Sequence, residues 1–322
     1  MTFIRVLAGA LFGLAVLCLA LAWVLRQPNF GREDYPGGSA RADAAKLEQH
    51  VRFLAAPGEW RSVHNAAGMA RAADYIARAF SGTGATVVVQ PYKAGPVETK
   101  NVIARFGLET RPRVVVGAHY DVFGDLPGAD DNASGVAGLL ELARMLDGLN
   151  LPTAVELVAY SSEEPPFFGG PEMGSAVHAT ALKGAAVPVV AMISLEMIGC
   201  YTERQPNQGI LLSTIYPRHG RFIALVGRWS DRDLVADAKK FFRGASPLEV
   251  VSYSGPTGLG ADLSDQRNYW AAGIPAFMVT DTAFMRNPNY HAATDTADTL
   301  DYPRMAQVVD GVFSTVVSLA RH

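Results

Sequence analysis

Near its start the chain carries a run with no polar face. Val6 to Leu25 (VLAGALFGLAVLCLALAWVL) holds twenty residues and no charge, between Arg5 and Arg26. An α-helix of that length rises about 30 Å, close to the hydrocarbon thickness of a bilayer. Helices packed into a soluble core usually keep a polar stripe, and this run has none. The pattern predicts a transmembrane signal anchor over residues 1–26. A short tail inside and an extracytoplasmic (periplasmic) domain is the expected arrangement. The alternative is a leader cut near Ala20-Leu21-Ala22, a small-x-small site, giving a secreted protein.

Residues 27–41 are rich in Pro, Gly and charge and read as a linker. Residues 42–322 then alternate between two periods. Ala42–Leu54, Ala66–Phe80, Ser134–Leu146 and Arg218–Trp229 read as helices. Ala85–Val89, Asn101–Phe106, Val114–Ala118, Ala154–Tyr160, Val189–Leu195 and Pro275–Thr280 read as strands. Helices alternating with strands predict one α/β domain: a sheet with parallel strands at its centre and helices on both faces. No internal repeat is visible.

Composition narrows the function classes. An apolar content of 49% with 18% charged residues is that of a globular chain. A net charge of -3 and the lack of a basic stripe argue against a nucleic-acid partner. The two cysteines do not suggest an intrachain disulfide, since Cys18 lies in the apolar run and Cys200 stands alone. Cys200 follows an apolar strand and reads as a buried structural thiol.

The chemistry gathers at strand ends, where open α/β sheets place their sites. Gly117-Ala-His-Tyr-Asp121 closes one strand, Ser161-Ser-Glu-Glu164 follows a second, and Ser194-Leu-Glu-Met-Ile-Gly199 closes a third. Pro127-Gly-Ala-Asp-Asp-Asn-Ala-Ser-Gly135 and Asn289-Tyr-His-Ala-Ala-Thr-Asp295 complete the set. Taken singly, each has a bland reading: a turn, a helix cap or a solvated acidic pair. Together they offer imidazoles and carboxylates without thiolates, which suits a catalytic zinc. Carboxylates converging on one rim repel each other unless cations lie between them.

In these motifs, from about Ala66 to Val316, the chain resembles the zinc aminopeptidases of peptidase family M28. The resemblance implies a mixed sheet flanked by helices, centrally parallel, and two zinc ions per chain. It places His119 and Glu196 on one ion, Glu164 and His291 on the other, and Asp131 on both. Glu163 is implied as general acid/base, and Asp121 as the carboxylate accepting the His119 N–H. A cis peptide after Asp131 and a loop tyrosine stabilising the oxyanion, here Tyr253, are implied too. Glu196 departs from the pattern, since aspartate is commoner there. Gln266 stands where relatives often have histidine, so Asp262 and Asp265 receive no role.

The implied substrate is a peptide or small aminoacyl compound with a free amine. Three rivals are weighed. Amidohydrolases of family M20 carry a large insert before the last histidine, whereas 94 residues separate Glu196 from His291 here. Glutaminyl cyclase uses the same scaffold with one zinc. An inactive membrane-anchored interaction module would lack ligands, and here every ligand position is filled.

Overall fold

Val114–Ala118 and Ala154–Tyr160 carry almost unbroken apolar runs, and such runs are stable only where both faces of a strand are covered. The computed structural model puts them side by side at the centre of one sheet. It describes residues 2–27, 31–35, 38, 40–109 and 112–321; the side chains of residues 2–4, 6, 8, 10, 211 and 259 lie outside the description. Of the linker expectation, residues 28–30, 36, 37 and 39 fall outside the described residues.

The helices are α1 Thr2–Arg26, α2 Ala44–Leu54, α3 Ala66–Ser81, α4 Gly135–Leu146, α5 Gly174–Gly184, α6 Ile210–Ile215, α7 Arg232–Ala245, α8 Gln266–Ala272 and α9 Tyr302–Arg321. The strands are β1 Thr86–Ala94, β2 Val97–Phe106, β3 Arg113–His119, β4 Ala154–Tyr160, β5 Val189–Glu196, β6 Phe222–Arg228, β7 Glu249–Gly255 and β8 Ala276–Thr280. They form one eight-stranded sheet in the order β1-β2-β4-β3-β5-β8-β6-β7. The central pairs β4/β3, β3/β5 and β5/β8 are parallel. The joins β1/β2, β2/β4 and β8/β6 are antiparallel, and β6/β7 is parallel. The mixed, centrally parallel sheet of the sequence reading is therefore the sheet observed.

Apolar side chains of α2, α3, α4, α7 and α9 pack against one face, and those of α5 and α8 against the other. The chain leaves β3, crosses to β4 on one side, then returns to β5 on the other. That reversal opens a crevice at the carboxyl ends of β3, β4 and β5.

Two expectations change. Arg218–Trp229 was expected to be helical, but its centre is β6. Five consecutive apolar residues, Phe222 to Val226, carry no period that separates a buried strand from a buried helix. β7 and β8 supply backbone partners on both sides and decide for the strand. Gly227 permits close packing there, since a Cβ would lie 2.6 Å from Val235 Cγ2. Second, Tyr253 lies on a strand, β7, rather than in a loop.

The N-terminal run is one helix, α1. Leu11, Phe12, Leu17, Leu19 and Trp23 stand 59–72% exposed along it. Among the described residues, no helix is long and apolar enough to cross a membrane. The transmembrane expectation is thus not carried by the fold; α1 contacts the domain along β7, and Arg26 at its end bonds to Ile215 O of α6.

Candidate metal centre

His119 is the last residue of β3, Glu196 the last of β5, and Glu163 and Glu164 follow β4 by three and four residues. Parallel strands bring these ends to one rim. Three backbones nearby sit in the left-handed region: Ser162 (φ 61°), Met197 (φ 50°) and His291 (φ 52°). Non-glycine residues rarely adopt it, and such departures gather at sites the surroundings over-determine.

The side chains converge on Asp131. Its Oδ1 lies 3.4 Å from His119 Nε2, and its Oδ2 lies 3.1 Å from His291 Nε2. His119 Nε2 is also 3.4 Å from Glu196 Oε2, and His291 Nε2 is 3.4 Å from Glu164 Oε1. Each of the sets His119/Asp131/Glu196 and Asp131/Glu164/His291 has its donor atoms within 4.8 Å of one another. Glu163 stands beside the first set, its Oε2 3.9 Å from His119 Nε2. His119 Nε2 is buried and has no hydrogen-bond partner.

The electrostatics are those of crowded anions. Burial, then Glu164 and Glu196, push the Glu163 carboxyl well above its usual range, with His119 opposing. Burial and the Asp131 charge raise Glu164 to about 7. Burial would raise Asp131 too, but its contacts with His119 and His291 hold it below the usual carboxylate range. Burial would depress His291, yet bonds to Asp131 and Glu164 carry it to about 9. The residues fit zinc: two nitrogen–oxygen sets share one carboxylate, no thiolate intervenes, and a buried ring nitrogen points into the cluster unpaired.

The loop carrying Asp131 is held from every side. Asp130 N and Asp131 N donate to the Asp295 carboxylate at 3.0 and 3.1 Å. Asn132 Nδ2 donates to Leu195 O, and Asn132 Oδ1 accepts from Gly135 N and Met197 N. Ser134 Oγ accepts from Ile198 N. The loop is thereby stitched to the end of β5, beside Glu196. The Asp131–Asn132 peptide is cis, as the resemblance implies. Gly128 opens the loop at φ 56°, and a Cβ there would lie 2.3 Å from Asp131 O.

The acid side chain of Asp121 does something the sequence reading did not foresee. Its oxygens accept from Glu163 N and Glu164 N at 3.1 and 3.0 Å. The His119 Nδ1 lies nearer the Asp121 backbone oxygen (3.2 Å) than its carboxylate (3.6 Å). Asp121 thus orients the glutamate pair at least as directly as the imidazole. Tyr253 borders the same pocket as the cluster, but its hydroxyl donates to Pro256 O at 2.8 Å. The hydroxyl that the resemblance implies as an oxyanion donor is bonded to a backbone carbonyl here.

Other residues here escaped the sequence reading. Arg61, wholly buried, donates to the carbonyls of Tyr120, Gly128, Pro127 and Leu54, tying β3 to the ligand loop. Nothing local distinguishes it from a surface arginine. Behind Asp131, Asp130 accepts from Gly199 N and Asn287 Nδ2, and Asp281 from Cys200 N and Ala283 N. Cys200 is buried among these acids, and burial pushes its thiol far up. Histidine 291 is sandwiched between Phe123 and Tyr290, with ring centroids at 4.1 and 3.8 Å.

A cavity of about 290 Å³ opens beside the cluster. It runs from Glu163 and Glu196 to an apolar wall that includes Leu212, Phe222, Val226, Val251 and Met278.

The chain is 46% identical over 293 residues to the Escherichia coli protein YfbL, which is described as uncharacterized; the match covers 87% of this chain and 89% of that one. It is 28% identical over 221 residues to a probable leucine aminopeptidase of Trichophyton verrucosum, covering 64% of this chain and 54% of the fungal one. The chain thus spans about half the length of that relative. Its fold matches the LapA aminopeptidase of Legionella pneumophila with a TM-score of 0.70, at 21% identity over 87% of this chain and 73% of that one. The family model for peptidase family M28 matches residues 101–316, a span holding every residue of the converging cluster, and so the chain belongs to peptidase family M28.

Proposed function

We propose that this chain is a two-zinc aminopeptidase releasing N-terminal residues from peptides or small aminoacyl compounds. One observation carries the reading: the two oxygens of Asp131 face two different histidines, each beside a further carboxylate. His119, Glu196 and Asp131 would hold one zinc, and Glu164, His291 and Asp131 the other. Zinc bound there polarises the scissile carbonyl and acidifies a water.

The chain's own groups do the rest. Glu163 is buried beside the cluster and lies outside both Asp131 sets. It takes the water proton and returns it to the leaving amine. Burial and neighbouring acids raise its basicity, which favours accepting that proton. Asp121 fixes the backbone of Glu163 and Glu164 together. The acidic rim attracts a substrate ammonium, and the apolar wall of the cavity receives its side chain. The aminopeptidase name of the fungal relative supports this substrate class.

We also propose that α1 anchors the protein in a membrane with the catalytic domain on the extracytoplasmic side. The uncharged run Val6–Leu25 and its exposed apolar side chains support it.

The test is a panel of free and N-blocked aminoacyl anilides, assayed with zinc and with chelator, on protein of measured metal content. Hydrolysis of free-amine substrates only, lost with chelator and restored by zinc, is expected. Cyclisation of a glutaminyl peptide without anilide hydrolysis would replace the reading with a cyclase. Extraction of the full chain from membranes by detergent but not by carbonate is expected for the anchor.

A further inference from the structure

The apolar half of the cavity has an unequal enclosure. Its floor is the sheet: Phe222, Ala224 and Val226 of β6 and Val251 of β7. Its roof is the six-residue helix α6 and the residue after it, through Leu212 and Tyr216. Ile210, at the start of α6, is 89% exposed. A helix this short has little intrinsic stability and depends on what it is tied to.

One tie comes from the end of α1. Arg26 Nη1 donates to Ile215 O, the last carbonyl of α6, at 3.3 Å. Tyr216 OH then donates to Ser252 O on β7 at 3.0 Å. Ser252 in turn donates from Oγ to Arg26 O at 2.7 Å. Arg26, α6 and β7 therefore close a ring of hydrogen bonds at the cavity edge.

That end of α1 is itself seated in the domain. Gln27 Nε2 donates to Arg232 O at 2.8 Å, and Ser254 Oγ donates to Gln27 Oε1 at 3.0 Å. Leu25 packs against Gly255, where a Cβ would lie 2.9 Å from Leu25 Cδ2. The buried ammonium of Lys239 lies 3.4 Å from Arg26 O, 3.3 Å from Gln27 O and 3.2 Å from Ser252 Oγ. A cation suits the unpaired carbonyls at a helix C-terminus. Without residues 26 and 27 this ammonium would lose two of its three partners.

We propose that Leu25–Gln27, the end of the N-terminal helix, is a clamp that holds the α6 roof over the substrate cavity. Arg26 is a positioning residue for substrate binding, although it lies 137 positions before Glu163 in the chain. The clamp lies downstream of Ala20-Leu21-Ala22, so it stays with the domain whether or not a leader is removed there. The kinetic part of this inference rests on the aminopeptidase reading, and the structural part does not.

The experiment compares the full-length native protein with Arg26→Ala, Arg26→Lys and Lys239→Met, all of measured zinc content. For leucine anilide, Arg26→Ala should raise KM about tenfold while kcat stays within about twofold, the loss expected of one charge-assisted hydrogen bond that positions rather than reacts. Arg26→Lys should recover part of that loss. Amide hydrogen exchange over residues 210–216 should quicken in Arg26→Ala and Lys239→Met, with the core strands unchanged. Unchanged KM together with unchanged exchange overturns the clamp. So does an equal fall in kcat and kcat/KM with global loss of stability, because that marks a merely structural residue. If the native protein hydrolyses no anilide, the aminopeptidase reading fails, and exchange over residues 210–216 still decides the clamp.

Discussion

The two ends of the cavity are built by different rules. Around the metal rim the supporting side chains are buried and multiply bonded: Asp295 to two amides, Asn132 to three partners, Arg61 to four carbonyls. At the far end the sheet meets apolar side chains under six residues of helix, tied down by the end of α1. A cluster of like charges holds its geometry only where the backbone and side chains around it are well bonded, since a buried unpaired group costs more than an exposed one. An apolar wall has no directional partners and tolerates exchange of its covering. The contrast separates a densely hydrogen-bonded rim from an apolar wall with few directional ties.

Changing the rim should have the largest effect. Glu163→Gln keeps shape and removes the base. Turnover should fall by about a hundredfold to ten-thousandfold, with zinc content unchanged by elemental analysis. Retention of most activity would remove Glu163 from the proton-transfer role. Next comes the support beneath the ligands. Asp295→Ala frees the amides of Asp130 and Asp131, and zinc affinity, measured by competition with a chromophoric chelator, should weaken about ten- to a hundredfold. Unchanged affinity would mean that the loop is held without Asp295.

A pH series on chelator-treated protein tests the crowding itself. Burial raises Glu164 to about 7 and Asp295 to about 7 from ordinary values of 4.5 and 3.8. A carboxylate raised on folding binds its proton more tightly when folded. Its contribution is therefore present at low pH and is lost as pH rises through about 7. His291, carried to about 9 against its burial, contributes fully below about 6.5 and loses its part as pH rises through about 9. Asp131 has the opposite sign, but its window lies below its ordinary value of 3.8. The metal-free protein should thus melt at a lower temperature at pH 8 than at pH 5.5. Zinc should raise the melting temperature more at pH 8, where its ligands have lost their protons. A flat profile would mean that the carboxylates are better solvated than their burial implies.

The smallest effect belongs to the apolar end. Tyr253→Phe removes a hydroxyl that bonds Pro256 O, and kcat should change by less than about threefold. A loss of a hundredfold or more would give that hydroxyl the oxyanion role that the family resemblance suggests.

Much of the rim could be read from residue order alone. β3 and β4 announce themselves as unbroken apolar runs, and their ends carry His119 and the glutamate pair. The supports were less legible. Asp121 reads as a partner for His119, yet its carboxylate serves the Glu163 and Glu164 amides, because only the β3/β4 register brings those amides to it. Arg61 looks like any arginine beside a turn. β6 carries five apolar residues without a period, and its state depended on neighbours more than fifty residues away along the chain, at β8. Tyr253 could not be placed on β7 until β6 existed to pair with it.

What the chain determined by itself was local: where apolar runs begin and end, which donors follow them, and that twenty uncharged residues form one helix. Those follow from periodicity and from the chemistry of individual side chains. What only the tertiary structure decided was convergence. Asp131 faces two histidines, 12 positions before it and 160 after it, because a parallel sheet aligns strand ends that the sequence keeps far apart. The docking of Arg26 against α6 and β7 is likewise invisible in order alone. It arises because a helix end offers unpaired carbonyls and the domain presents Lys239 and Ser252 to meet them.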